Sequence, residues 1–532
     1  MNYIKLILGL CLFFSISSCE ITEFGEDLQT NPNLLSPENA DPNFLLNNVQ
    51  LETADILMDL NQTTDEVMRY TNLNESYLDV AEPDALDGEW QNYASVLEDA
   101  NIIEQQTATD ENLRFHRGIS RILTAYLTTT MVDYLGDIPF SEANRAGEGI
   151  INPAADDDAT IYENLLVQIN EAIEDLNAGT PAPTTDLYYG GNRAQWIRLA
   201  NSLQLKMLVN IGDASRINAV LANGNFIEAE DDFEFTYGTS LTEPDTRHPD
   251  FVVGYVPGGF SSFLGNSFMD LLLNDKTIPD PRIRYYIYRQ STLDPPNDIL
   301  ACVDVPNFNF CFLGNAYYGR DHGDSRPTGV DRNFRATYGL YPVGGAFDAD
   351  NPATQSNNVL LGEDAPNQGG AGILPILLSS FVDFLRAEAA ISRGTSDDAA
   401  ALLESGIRKS MNKVLNFRSA ASDSPFAATA ADVDAYVAEV MADFAAADMN
   451  GRLDIVLTEY YLASFGNSTE AYNGYRRTGF PSAFTAPINN ANVPFPRVFS
   501  LPNDEVTNNS SVNQRPITTQ VFWDTNPQGF IN

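Results

Sequence analysis

Apolar residues recur at three- and four-residue spacing along most of the chain, the signature of helices with one buried face. Across residues 112–135 the stripe is Ile119, Ile122, Leu123, Tyr126, Leu127 and Met131, and Gly136 with Pro139 beyond it supplies the stop. A second helix is announced by Asp156, Asp157 and Asp158, whose carboxylates suit a helix N-terminus. Its stripe is Ile161, Leu165, Leu166, Ile169, Ile173 and Leu176, and Gly179 with Pro181 ends it. The same spacing predicts helices over residues 41–60, 89–106, 195–211, 375–393, 396–415, 432–446 and 452–465. Connections as short as Arg393 to Ser396 make neighbouring helices antiparallel. The expectation is an all-α framework of irregular, solenoid-like hairpins, without a fixed sequence period.

Between the helical stretches the pattern changes. Residues 230–372 are rich in Gly, Pro, Asn, Asp, Tyr and Phe, with a brief helical stretch near 262–273. Polar and aromatic residues on long loops held by a rigid scaffold are where binding surfaces usually sit. The densest cluster is Tyr317, Tyr318, Gly319, Arg320, Asp321, His322, Gly323 and Asp324. Aromatic planes there could stack on sugar faces while the arginine and carboxylates take hydroxyls. The same arginine would suit a peptide carboxylate. A loop merely pinned by an internal Arg–Asp pair fits the composition slightly better. Asp321 and Asp324 do not have the spacing of an EF-hand loop, so no metal is assigned.

Catalytic motifs are missing. No serine stands between glycines at both second neighbours, no phosphate-binding glycine loop ends in Lys-Ser/Thr, and no His-Glu-x-x-His helix occurs. His116, His248 and His322 are scattered. Carboxylate pairs for glycoside hydrolysis are defined by proximity in space, so a secreted hydrolase stays as an alternative to a binding protein or a structural scaffold. No cofactor is implied.

Of the 532 residues, 73 are acidic and 30 basic, a formal charge of −43. Such a polyanion is repelled by nucleic-acid phosphates and anionic lipid surfaces, which removes both as partners. With 43% hydrophobic and 19% charged residues the composition is that of a folded protein.

The N-terminus changes the picture further. Lys5 precedes an apolar run from Leu6 to Ile16, too short to span a bilayer but suited to a secretory signal over residues 1–18. Ser17, Ser18 and Cys19 resemble a bacterial lipobox, which would make Cys19 the lipidated first residue of the mature chain, 19–532. Acyl burial contributes about 0.8 kcal/mol per methylene, so two or three chains hold a protein on a membrane. Glu20, Glu23, Glu26 and Asp27 resemble the signal that exports Bacteroidetes lipoproteins to the cell surface. Cys302 and Cys311 then suit either a local disulfide or two buried free thiols.

Motifs spread over the whole length resemble the SusD/RagB family of Bacteroidetes lipoproteins. They are Asp133-Tyr134-Leu135-Gly136-Asp137-Ile138-Pro139-Phe140, the tryptophan-led Trp196–Leu203, Asp280-Pro281-Arg282, Ala387-Glu388-Ala389, Tyr475–Pro481, Phe495-Pro496-Arg497-Val498 and Asn503-Asp504-Glu505. Gly319–Asp324 and Tyr341–Gly345 place the chain nearer the SusD-like nutrient-binding subgroup. The resemblance implies an all-α fold of tetratricopeptide-like hairpins (framework 41–229 and 373–466) with a loop-rich ligand region at 230–372. It also implies a cell-surface lipoprotein of the outer membrane, held to the membrane by its lipid alone. Such a protein would capture oligosaccharides, or alternatively peptides, for a SusC-like TonB-dependent transporter.

The tryptophans expected of a starch binder are scarce: only Trp90, Trp196 and Trp523 are present. Trp196 opens a helix with Leu199, Leu203 and Met207 on one face and reads as core, whereas Trp90 reads as packing or platform. If sugars bind, Tyr77, Tyr317 and Tyr318 must supply most of the stacking. The candidate ligand residues are therefore Tyr77, Trp90, Tyr317, Tyr318, Arg320, Asp321 and His322.

Overall fold

The computed structural model describes residues 39–531 apart from residues 75, 257–262, 296–299, 301–307, 327–333, 351–366, 420, 422 and 490–492. The signal at 1–18, Cys19 and Cys302 lie outside the described residues.

The periodic stripes become helices. Those of ten residues or more are α1 (Pro42–Val67), α2 (Asp87–Thr109), α3 (Arg114–Leu135), α4 (Asp158–Asn177), α5 (Arg193–Ile211) and α6 (Ala214–Asn223), followed by α7 (Ser379–Arg393), α8 (Ala399–Leu415), α9 (Ala430–Ala446), α10 (Met449–Ala463) and α11 (Ser468–Thr478). Their starts carry side-chain caps: the Asp41 carboxylate accepts from Asn43 N, Asp157 from Thr160 N, and Asp398 from Ala400 N. Gly136 closes α3 at φ +74°, a left-handed conformation that costs glycine nothing.

Consecutive helices pack on one another, as hairpins do. α1 packs on α2 and α3, α3 on α4, α4 on α5 and α5 on α6. In the second set α7 packs on α8 and α10, α8 on α9, and α10 on α11. α11 returns onto α1, and α7 also touches α5, so both sets share one core. The fold is all-α, as expected.

Short antiparallel strand pairs tie the loops down. β1 (Ile138–Pro139) pairs with β2 (Ala155–Asp156), β3 (Phe233–Thr236) with β6 (Ile373–Leu377), and β4 (Ile287–Arg289) with β5 (Ala336–Tyr338). The β3–β6 pair brings the two ends of the loop-rich region side by side, so that region leaves and rejoins the framework at one place.

Two expectations are corrected. The helix expected from Pro375 begins at Ser379, because Ile373–Leu377 is a strand buried at every position. Helix α1 runs to Val67 instead of stopping at Leu60, since Asn61, Thr64 and Asp65 also face inward.

Candidate functional site

The loop cluster read as a binding surface is packed into the protein. None of Tyr77, Trp90, Tyr317, Tyr318, Arg320, Asp321 and His322 exposes more than 9% of its surface. The Tyr77 hydroxyl lies 2.7 Å from Nε2 of His322, and Tyr77 packs edge-on against Phe495. Asp321 accepts hydrogen bonds from Asn266 Nδ2 at 2.7 Å and from the backbone of Asn309 and Phe310. The Arg320 guanidinium sits 4.1 Å from the Phe263 ring centre, and that of Arg289 covers Tyr317 at 4.9 Å. Gly319 is there because a Cβ would lie 2.3 Å from the Leu264 carbonyl oxygen. The expected open array of aromatics and carboxylates is thus replaced by a pinned loop. The pinning ion pair is Arg326–Asp324, at 2.8 Å.

Trp90 donates from Nε1 to Glu505 at 3.1 Å, Trp196 is fully buried, and Trp523 donates from Nε1 to Asp133 at 3.0 Å. All three tryptophans are core residues. Cys311 is disulfide-bonded.

The motifs spread along the sequence converge on a buried polar network. Asp133 accepts from Tyr162, Trp523 and Asn473, and burial pushes its carboxyl above the usual range. Arg477 grips Glu388 through two bonds of 2.7 and 2.9 Å, both side chains nearly sealed from solvent. Arg282 pairs with Asp280 at 2.6 Å and reaches Glu459, which also accepts from Tyr436. The Arg476 guanidinium lies between Tyr472 and Trp523, and Arg497 pairs with Asp524. Buried charges of this kind must be paired and hydrogen-bonded to persist. These motifs hold the helices in place; none lines the two cavities at the end of α1.

A cleft opens where the last turn of α1 meets the loop-rich region. A cavity of ≈180 Å³ is lined by Gln62, Asp65, Glu66, Thr71, Asp250, Val253 and Tyr338. A second of ≈350 Å³ shares Gln62 and Glu66 and adds Thr63, Asn74, Asp79, Val80 and Glu82. Asp65 is buried, and its Oδ1 accepts no hydrogen bond. Burial, and then the neighbouring Asp250, push the Asp65 carboxyl well above its usual range. Burial pushes Asp250 up to about 6, against the pull of a 2.9 Å hydrogen bond from Gln62 Nε2. His248, beside it, is held down to about 3 by burial, and its Nδ1 accepts from the Asp250 backbone. The cleft is therefore a polar, acid-lined surface suited to hydroxyl and cationic groups.

Two larger hollows lie elsewhere. One of ≈450 Å³ is lined by Asn101, Gln105, Arg121, Phe140, Arg145 and Glu148 among others, and one of ≈560 Å³ by Tyr285, Met411, Leu415, Ala427 and Val433 among others. Among the described residues, one carboxylate group is tight enough to suggest a metal: Asp137, Asp157 and Asp158. Its oxygens already accept from the backbone of Asp158, Thr160 and Phe522 at the start of α4.

Sequence reasoning missed Asp65, Glu66 and Asp250. The signal that could have found Asp65 is its helical spacing from Leu57 and Asn61, which places a carboxylate on the inward face of α1.

The profile of a family described as "Starch-binding associating with outer membrane" matches residues 32–299, and that of "Susd and RagB outer membrane lipoprotein" matches residues 370–520. The chain belongs to the SusD/RagB family. No curated protein matches it in sequence. Solved SusD-like structures share its fold. A Bacteroidetes AC2a SusD-like protein is 20% identical, with a TM-score of 0.66 over 92% of this chain and 100% of its own. A SusD homologue from Bacteroides uniformis is 18% identical, with a TM-score of 0.66 over 91% and 99%. A chitin-binding SusD homologue from Flavobacterium johnsoniae is 19% identical, with a TM-score of 0.64 over 91% and 98%. The SusD/RagB family is one of outer-membrane lipoproteins by description, and among the described residues no helix is long and apolar enough to cross a membrane.

Proposed function

We propose that this SusD/RagB protein is a cell-surface lipoprotein, anchored through Cys19, that captures oligosaccharides and delivers them to a SusC-like TonB-dependent barrel without chemistry of its own. The observation that carries this reading is the match over residues 32–299 to a family described as starch-binding at the outer membrane. The polar cleft at the end of α1 lies inside that matched stretch for most of its lining and offers acceptors to sugar hydroxyls. In this reading Tyr77, Tyr317, Tyr318, Arg320, Asp321 and His322 hold the loop that shapes the binding face, and Trp90 seats the segment around Glu505. Capture through a few hydrogen bonds gives an affinity of micromolar order, about −8 kcal/mol, which permits release into a channel.

Peptide cargo is the second reading, favoured by one observation: every tryptophan is buried, so none offers a sugar a stacking plane. Calorimetric titration with mixed oligosaccharides and with a casein digest separates the two. Heat from the sugars is expected, and heat from the digest alone would reject carbohydrate as the cargo.

A further inference from the structure

Resting on the carbohydrate reading, we infer that the hollow of ≈450 Å³ between α2, α3 and the loop after β1 is a second sugar site, taking a neutral stretch of an oligosaccharide.

The walls of the hollow are fixed. α2 supplies one side through Leu97, Asn101 and Gln105 at four-residue spacing, and α3 another through Arg121 and Thr124. The remaining wall is the loop 140–148, which is tied down at both ends of its first turn. The backbone N–H groups of Phe140 and Ser141 donate to Asp156 Oδ2 at 3.0 and 2.8 Å. Asn144 Nδ2 donates to the Ala94 carbonyl on α2 at 2.7 Å. A wall tied back to the neighbouring helix is already ordered, so little ordering cost falls on binding. The volume lies within the roughly 300–1,000 Å³ of small-ligand sites. The hollow shares no lining residue with the two cavities at the end of α1.

The charges that line it cancel in pairs. Arg121 grips Glu104 through two hydrogen bonds, and Arg145 pairs with Glu148 at 2.6 Å. Among the described residues no other ionisable side chain lines the hollow. On a chain of net charge −43, such a neutral patch draws no cation and leaves no guanidinium unmatched for a phosphate or carboxylate. The chemistry that remains is that of uncharged hydroxyls.

The open polar groups are those hydroxyls use. Asn101 and Gln105 are exposed, and neither side chain makes a hydrogen bond within the described residues. Gln168 gives its Nε2 to the Arg121 carbonyl and to Thr124 Oγ1, and its Oε1, not sealed from solvent, is left to accept. Each amide offers two donors and an acceptor, which matches neighbouring hydroxyls that donate and accept at once. The half-buried Phe140 ring packs on the core and borders the same space, an apolar surface for the C–H face of a pyranose.

The test is calorimetry on the mature chain in about 0.15 M salt. The probes are chitohexaose, cellohexaose and maltohexaose, with a casein digest as the peptide arm. For at least one hexamer, one molecule bound at limiting sugar and two at saturation are expected. The double variant Asn101→Ala with Gln105→Ala changes exposed side chains only, and Phe140→Leu keeps an apolar group while removing the ring. Each should weaken one of the two sites by about tenfold, the size of one or two hydrogen bonds, and leave the other at full affinity. Raising the salt to about 0.5 M should not move the affected site, because its lining carries no net charge. Sugar binding that the double variant and Phe140→Leu both leave at full affinity would overturn the second site while sparing the carbohydrate reading. Failure of all three hexamers to bind, with or without heat from the digest, would overturn both.

Discussion

The hydroxyl of Tyr77 and Nε2 of His322 meet at 2.7 Å, joining a helix start near the N-terminus to the loop at the far side of the chain sequence. Both residues are buried, and burial holds His322 well below the usual histidine range, so the imidazole is neutral. The contact is one between two neutral polar groups that have left water. Tyr77→Phe should cost about 1–2 kcal/mol, because it leaves His322 Nε2 unpaired. Urea unfolding checks this, and sugar titration should show an unchanged affinity if the pair shapes the face without touching cargo.

The Arg477–Glu388 pair joins α11 to α7 in the core. Arg477→Met strands a buried carboxylate and should lower stability by about 3–5 kcal/mol. The double variant Arg477→Met with Glu388→Leu should recover most of that loss, because it removes both charges together. Unfolding midpoints of the three proteins give the comparison.

Asp250 supplies a pH test. Its carboxyl titrates near 6 in the fold and near 3.8 when exposed, so the folded state holds the proton more tightly. Ionising it therefore weakens the fold as pH rises from about 4 to about 6, and the full penalty stands above that window. Asp250→Asn should raise stability by about 1–2 kcal/mol at pH 8, with the gain vanishing by pH 4. Melting curves across that range check the sign.

Cys19 tests the anchor. With the acyl chains on Cys19, as proposed, Cys19→Ser would remove the thioether that carries them, and the protein should move from the envelope to the soluble fraction or the medium. Immunoblots of fractionated cells read the outcome.

The helices were legible wherever their buried face was apolar. The stripe of α3 from Ile119 to Met131 and the Asp157 cap of α4 appear as expected. Helix α11 was not legible as a helix, because it is buried at every position from Ser468 to Arg476 and several of those positions are polar: Ser468, Thr469, Glu470, Asn473 and Arg476. Those residues feed the polar network, with Glu470 pairing Lys206 and Arg476 stacking on Tyr472. The same inversion misdirected the reading of the site. Tyr317, Arg320, Asp321 and His322 have the composition of a binding loop, yet they spend their hydrogen bonds and ring faces inside the protein. Asp65 and Asp250 lie 185 positions apart in sequence, and only the fold brings them to one cavity.

Native mass spectrometry of the mature protein mixed with an oligosaccharide pool reads cargo and chemistry together. The expected spectrum shows the protein carrying one intact oligomer, with the free pool unshortened after prolonged incubation. Shortened products, or a protein that carries peptides from a casein digest and never a sugar, would contradict the account.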